Sequence, residues 1–209
     1  MPRVEPGLVR ALRRTPSLRL NVAHRGRTRR PGLKPQERGP TGSVKDRSAV
    51  GRLAGISAHL REHRSDVAAV AVDLRISLAV AGSAGRRLIP GTGAGRPSAF
   101  LQGPHSYDRV VHVDDIEVIA VRRILAEDLG VVLGGSSGCA VRALLTDLEN
   151  DRTDGRLPVC LAADGGGKYR DTLHSDDWAA EQGVAKEITT AVNQLRSEGL
   201  FFDRECQEH

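Results

Sequence analysis

Residues 109–138, RVVHVDDIEVIAVRRILAEDLGVVLGGSSG, decide the fold class of this chain. Arg109-Val110-Val111-His112-Val113 is a short run rich in β-branched residues and predicts a strand. Asp114 or Asp115 stands where a helix needs a side-chain acceptor for its first N–H groups. Ile116, Ile119, Ala120, Ile124 and Leu125 recur at three- and four-residue steps and predict the inner face of that helix. Gly130 is placed to close it in the left-handed conformation. Val131-Val132-Leu133 predicts a further strand, Gly134-Gly135-Ser136-Ser137-Gly138 a loop, and residues 139–149 another helix. That alternation predicts an α/β layer built on a mainly parallel sheet.

The same alternation extends outward in both directions. Residues 44–63 carry Ala49, Val50, Leu53, Ala54, Ile56 and Leu60 at helical spacing, although Gly51 and Gly55 each weaken a helix by roughly 1 kcal/mol relative to Ala. Residues 66–73 read as a short buried strand. Residues 81–108, rich in Gly, Ser and Pro, read as mostly irregular. Residues 159–163 predict a strand leading into Gly165-Gly166-Gly167, and residues 185–196 a final helix. Ligands in such sheets sit beyond the C-terminal ends of the strands. Two loops qualify by position: residues 134–138, whose N–H groups and hydroxyls suit a phosphate or a ring nitrogen, and residues 164–169. Taken alone, each is also a plain turn that uses small residues for geometry.

Composition narrows the function classes. The chain has 209 residues, 39% of them apolar and only 3% aromatic, so its core rests on Val, Leu, Ile and Ala. No stretch approaches the roughly 20 apolar residues of a membrane span. Arg10, Arg13, Arg14 and Arg19 interrupt any apolar signal core, and a cytoplasmic location is the default expectation. Three widely spaced cysteines suit neither a disulfide scaffold nor a zinc site, and His59 and His63 have no acidic third ligand nearby. Residues 1–40 hold 11 Lys and Arg against Glu5 and Glu37, a net of +9, which leaves about −4 for residues 41–209. The arm has no aromatic residue for base stacking, so its charge reads as a solvated segment rather than a nucleic-acid contact. The expected organisation is a basic, partly ordered segment 1–40 followed by an α/β domain 41–209.

Within Thr41-Gly42-Ser43-Val44-Lys45-Asp46-Arg47, small residues open a helix beside one lysine. The partial positive charge of a helix start, with partial burial, makes a lysine there lose its proton more easily. A neutral lysine amine forms Schiff bases with aldehydes. Spacing alone favours the plainer alternative, a capped surface helix with a solvated lysine.

Four blocks in order resemble the cysteine synthase family of pyridoxal-phosphate enzymes, the fold type that includes the tryptophan synthase β subunit. Thr15-Pro16-Ser17-Leu18-Arg19-Leu20 resembles T-P-L-V-x-L. Gly39-Pro40-Thr41-Gly42-Ser43-Val44-Lys45-Asp46-Arg47 resembles N-P-T-G-S-x-K-D-R, with Gly39 in place of Asn. Residues 134–138 resemble G-x-S-S-G, and residues 161–172 resemble L-x-x-D-x-G-x-[KR]-Y-x-x-T. Ile89-Pro90-Gly91-Thr92-Gly93-Ala94-Gly95, together with Gly135 before the serine, is similar to the branch that makes N-(2-amino-2-carboxyethyl)-glutamate for diaminopropionate synthesis.

The resemblance implies an open, mainly parallel α/β sheet with helices on both faces. It implies pyridoxal 5'-phosphate as cofactor, held covalently by Lys45, which also shuttles the α-proton. Ser136 hydrogen-bonds the pyridine nitrogen without holding it protonated. The implied reaction is β-replacement on a serine ester through an aminoacrylate. O-phosphoserine with glutamate is preferred, O-acetylserine with sulfide being the cysteine synthase version, and a homodimer is implied.

The family also carries a T-S-G-N-T-G substrate loop, a small mobile domain and a G-T-G-G-T phosphate cradle after the lysine helix. Here Ala49-Val50-Gly51-Arg52 runs straight into Leu53-Ala54-Gly55-Ile56-Ser57, which resembles the sequence just after the cradle, so only Gly51 stands as a remnant. Each charge-assisted bond of such a cradle contributes roughly 1.5–3 kcal/mol, so losing two or three weakens phosphate binding by orders of magnitude. The alternative expectation is therefore a non-catalytic, decayed paralogue or fragment that acts, if at all, as a binding partner.

Overall fold

The computed structural model describes residues 18–35, 49–63, 66–80, 82–95, 107–152 and 156–204. In chain order the elements are β1 (Leu18–His24), β2 (Arg27–Arg29), β3 (Gly32–Pro35), α1 (Ala49–His63), β4 (Val70–Leu74), β5 (Arg109–Val113), α2 (Asp115–Leu129) and α3 (Gly135–Glu149). Then follow β6 (Val159–Ala162), a 3-10 turn (Gly167–Tyr169), α4 (Asp176–Glu181), α5 (Ala185–Ser197) and β7 (Phe201–Arg204). The stretch around Lys45 lies outside the described residues.

β1 and β2 form a tight hairpin. Its two tip residues, Arg25 and Gly26, have φ of 48° and 70°, the mirror-image turn whose twist matches that of the strands. β3 continues β2 along the same edge of β1 in one register, with Val22 opposite Arg29 and Leu18 opposite Leu33. The break falls at Arg30-Pro31, where proline has no N–H to give, although its carbonyl still accepts the Leu20 N–H at 3.1 Å. β7 lies antiparallel on the other edge of β1, β6 runs parallel to β3, and β4 and β5 form a separate parallel pair. The α/β class stands as read. The pairing is more mixed than a mainly parallel sheet, because a two-residue hairpin allows only antiparallel strands and parallel pairs need the longer connections found elsewhere.

Helix α2 follows its sequence signals. The Asp114 side chain accepts the Ile116 N–H at 2.9 Å, and Gly130 closes the helix at φ 66°. Gly130 has open space where a Cβ would be, so the backbone angle alone opposes a side chain there. Gly130→Ala is expected to destabilise the fold by about 1 kcal/mol, read as a lower urea midpoint with an unchanged slope.

Two expectations near this helix are corrected. Residues 131–133 form no strand; only Leu133 makes a bridge, to Gly165. The carbonyl of Leu133 is taken by the buried guanidinium of Arg122 instead. Residues 134–138 are not a loop, because α3 already begins at Gly135 and the Gly138 N–H bonds the Gly134 carbonyl at 3.0 Å. In α1, Leu53 and Leu60 are half-buried around a buried Ser57, while Ile56, expected inside, is 41% exposed.

α2 contributes side chains to both apolar clusters, and α3 contacts strands of both sheets. Val118 and Ile119 pack with Leu74, Val111 and Val113 of the β4–β5 pair. Ala120, Val121, Ile124 and Leu125 pack with Leu20, Val22 and Leu33 of the hairpin sheet and with Phe202 of β7. Residues 18–35 of the basic segment thus supply strands and core side chains. Cys139 and Cys160 are buried free thiols, which burial pushes up to about 12.

Candidate active site

Strand β6 ends two residues before Asp164, whose buried side chain is the hub of the site. Ser136 Oγ donates to Asp164 Oδ1 at 2.8 Å, and Tyr169 OH donates to Oδ2 at 3.2 Å. Ser137 Oγ lies 2.8 Å from the Asp164 carbonyl and 3.0 Å from Oδ1, and accepts the Asp164 N–H at 3.1 Å. The Gly134 N–H donates to the Asp164 carbonyl at 3.0 Å, so the carboxylate sits against the first turn of α3. Unpaired N–H groups and the helix dipole favour a negative charge there. From Leu133 to Cys139 every residue is buried except Ser136, which is half-buried. Ser136 is therefore the residue of this turn with appreciable exposure.

Close contact explains the small residues. A Cβ on Gly134 would lie 2.0 Å from Asp164 Cγ, and one on Gly135 would lie 2.3 Å from Ile89 Cγ2. The Ile89 contact brings the segment Ile89-Pro90-Gly91-Thr92 against the serine turn. That segment is fixed from below: Asp115 Oδ2 accepts the Leu88 N–H at 2.8 Å, and Ser77 Oγ accepts the Ala94 N–H at 2.9 Å. Burial raises the Asp115 carboxyl above its ordinary range.

Behind the turn, Arg122 is fully buried. Its Nε and Nη2 donate to the Leu133 carbonyl, and Nη2 also donates to His174 Nε2 at 2.9 Å. Its Cζ lies 5.5 Å from the centre of the Tyr169 ring. Burial pulls Arg122 down to about 10, against the opposing pull of Asp164. Burial first, and Arg122 next, push His174 down to about 4 from 6.5. His174 is thus a neutral acceptor in the fold. Between about 6.5 and about 4 the unfolded chain binds a proton that the folded one refuses, so stability falls as pH drops through that window. His174→Gln keeps an acceptor for Arg122 without titrating there, and urea midpoints measured from pH 7 to pH 4 are expected to decline less in this variant than in the wild type.

Of the two residues singled out by sequence, Ser136 stands at the site and Lys45 lies outside the described residues. β3 ends at Pro35, in register with Ala162, at the same end of the sheet as Asp164. Sequence reading treated Asp164 as part of a turn and missed Arg122, His174 and Tyr169 as a connected set. The Asp and Tyr of the last motif were a usable signal; a buried arginine inside an apolar helix face gave none. A hydroxyl such as that of Ser136 has the donor and acceptor chemistry to meet the nitrogen of a pyridoxal ring. The lysine that would hold its aldehyde end is not among the described residues.

Residues 50–165 match the family described as pyridoxal-phosphate dependent enzyme, a span that includes Ser136 and Asp164 and begins after Lys45. The N-(2-amino-2-carboxyethyl)-L-glutamate synthase of Ralstonia nicotianae is 35% identical over 133 residues, which are 64% of this chain and 39% of that protein. The crystal structure of O-acetylserine sulfhydrylase isoform 3 from Entamoeba histolytica superposes with a TM-score of 0.54 at 24% identity, covering 65% of this chain and 41% of that one. That of O-ureido-L-serine synthase superposes with a TM-score of 0.52 at 26% identity, covering 61% and 43%. The chain spans about two fifths of the length of these relatives. With more than half of its residues inside the family match, the chain belongs to the pyridoxal-phosphate dependent enzymes.

Proposed function

We propose that this chain serves a β-replacement reaction in which a serine ester exchanges its ester group for a nucleophile. The observation that carries the reading is the Ser136–Asp164 turn at the end of β6, inside the family match. Bound pyridoxal phosphate supplies the electron sink for chemistry at the substrate α-carbon. Lys45 would hold the aldehyde end of the cofactor and would carry the α-proton. Ser136 orients the ring by its nitrogen, and the segment Ile89-Pro90-Gly91-Thr92 walls the serine turn on one side. By likeness to the Ralstonia relative, O-phosphoserine with glutamate is the preferred substrate pair, ahead of O-acetylserine with sulfide. A cytoplasmic homodimer is part of the same reading.

The test is a visible-range absorbance spectrum of the purified protein with added pyridoxal phosphate. A band that appears in the wild type and is lost in Lys45→Ala supports the reading; no band in either overturns it. A second reading, a non-catalytic binding partner, draws on the short span relative to the relatives. Turnover of O-phosphoserine and glutamate by the isolated chain would exclude it.

A further inference from the structure

We propose that the open edge of β6 takes in one extended, apolar strand from a separate polypeptide, inserted between the hairpin sheet and the β4–β5 pair. Among the described residues β6 ends its sheet, with β3 on one side and no strand on the other. The Gly32 N–H donates to the Pro158 carbonyl at 3.0 Å. In a parallel ladder successive residues turn their main-chain groups to alternate sides, so Pro158, Cys160 and Ala162 face β3. Val159 and Leu161 present theirs to the open side. The side chains alternate as well: Cys160 and Ala162 are buried, whereas Leu157, Val159 and Leu161 are 60%, 56% and 44% exposed.

Proteins usually blunt such an edge with lysine, proline or a bulge. Residues 157–163, LPVCLAA, carry no charge, and their one proline faces β3, where its missing N–H does not guard the open side. An edge of this kind is a template for strand addition, in which main-chain bonds give affinity and alternate side chains give selectivity. The space beside the edge selects the occupant. Cys139 and Ala143 of α3 pack with Leu74 and Val111 of the β4–β5 pair, and Leu144 and Leu145 pack with Cys160 and Ala162 of β6. Paired strands lie about 4.8 Å apart, so strands flanking one absent strand lie about 10 Å apart, the width of a helix. One helix that touches both sheets, with no pairing between them among the described residues, leaves room for a single strand and not for the sheet of a second copy. The longer stretches outside the described residues offer no such strand in their sequence. Residues 1–17 and 36–48 are interrupted by charges and prolines, and the apolar run of residues 96–106 is only Ala99-Phe100-Leu101.

The experiment uses the full chain and, as probe, a short synthetic peptide of alternating valine and threonine with a lysine at each end. Amide hydrogen exchange is followed by NMR. The Val159 and Leu161 amides are expected to exchange fast in the free chain and to slow by about tenfold at about 1 mM peptide. Those of Cys160 and Ala162, which already face β3, stay unchanged. A peptide with proline at its central valine lacks the needed N–H and is expected to give no slowing. Val159 is exposed, so Val159→Lys keeps the fold, and it is expected to abolish the slowing. No slowing in the wild type overturns the proposal, and so does equal slowing by the proline peptide, which would mean apolar adhesion without strand pairing. Val159 and Leu161 amides as protected in the free chain as that of Cys160 overturn it too, because the edge would then be filled already, by this chain or by a second copy. The edge is independent of cofactor chemistry, so this test and the absorbance test above fail separately.

Discussion

Asp164→Ala lowers the stability of the fold by about 3 kcal/mol, and with it the thermal midpoint by about 10 °C. The substitution removes an acceptor of the buried Tyr169 hydroxyl, and a lost hydrogen bond at a buried donor costs about 1–3 kcal/mol. It also removes the negative charge at the start of α3, a further contribution of up to about 2 kcal/mol when partly buried. Ser136 loses little, because its half-buried hydroxyl can turn to water. Ser137 keeps the Asp164 backbone carbonyl as acceptor and the Asp164 N–H as donor. Asp164→Asn retains the shape and one acceptor oxygen, so its loss is expected to be about half as large. Denaturant midpoints of the two variants check the order; equal losses would mean that cavity formation outweighs charge and hydrogen bonding.

Gly138→Ala is expected to cost about 3 kcal/mol, at the upper end for overpacking by a single methyl group. The added Cβ would lie 2.3 Å from Arg122 Cδ, 2.5 Å from its Cγ and 3.1 Å from Val118 Cγ1. An exposed arginine would swing aside. This one is buried and tied to Leu133 and His174, so relief requires breaking those bonds or moving α3 away from α2. Coupling tests the mechanism. In an Arg122→Met background the thioether is not pinned, and the same glycine substitution is expected to cost about half as much, a non-additivity measurable by a double-mutant cycle.

The central third of the fold was legible because its signals are local. Asp114, the apolar steps through Leu125 and Gly130 fix α2 by capping and periodicity without help from the rest of the chain. Arg109–Val113 was legible for the same reason. The hairpin β1–β2 was not: residues 18–29 are crowded with arginine, and the burial of Leu20 and Val22 depends on β7, nearly two hundred residues away. The failed strand at residues 131–133 has the right composition, but a distant guanidinium takes the carbonyl that a ladder would need. At the site, Ser136 was readable from its motif. Its tie to Asp164 was not, because it joins the first turn of α3 to the segment after β6, which only the tertiary fold brings together.

The two buried thiols turn this protein into its own opening clock. Burial holds the Cys139 and Cys160 thiols up to about 12, so almost no thiolate exists at neutral pH while they are covered. An alkylating reagent therefore reaches either one only when its layer of the fold comes apart. Cys139 packs with the β4–β5 side and Cys160 with the hairpin side, so mass spectrometry after timed alkylation distinguishes which half loosens first.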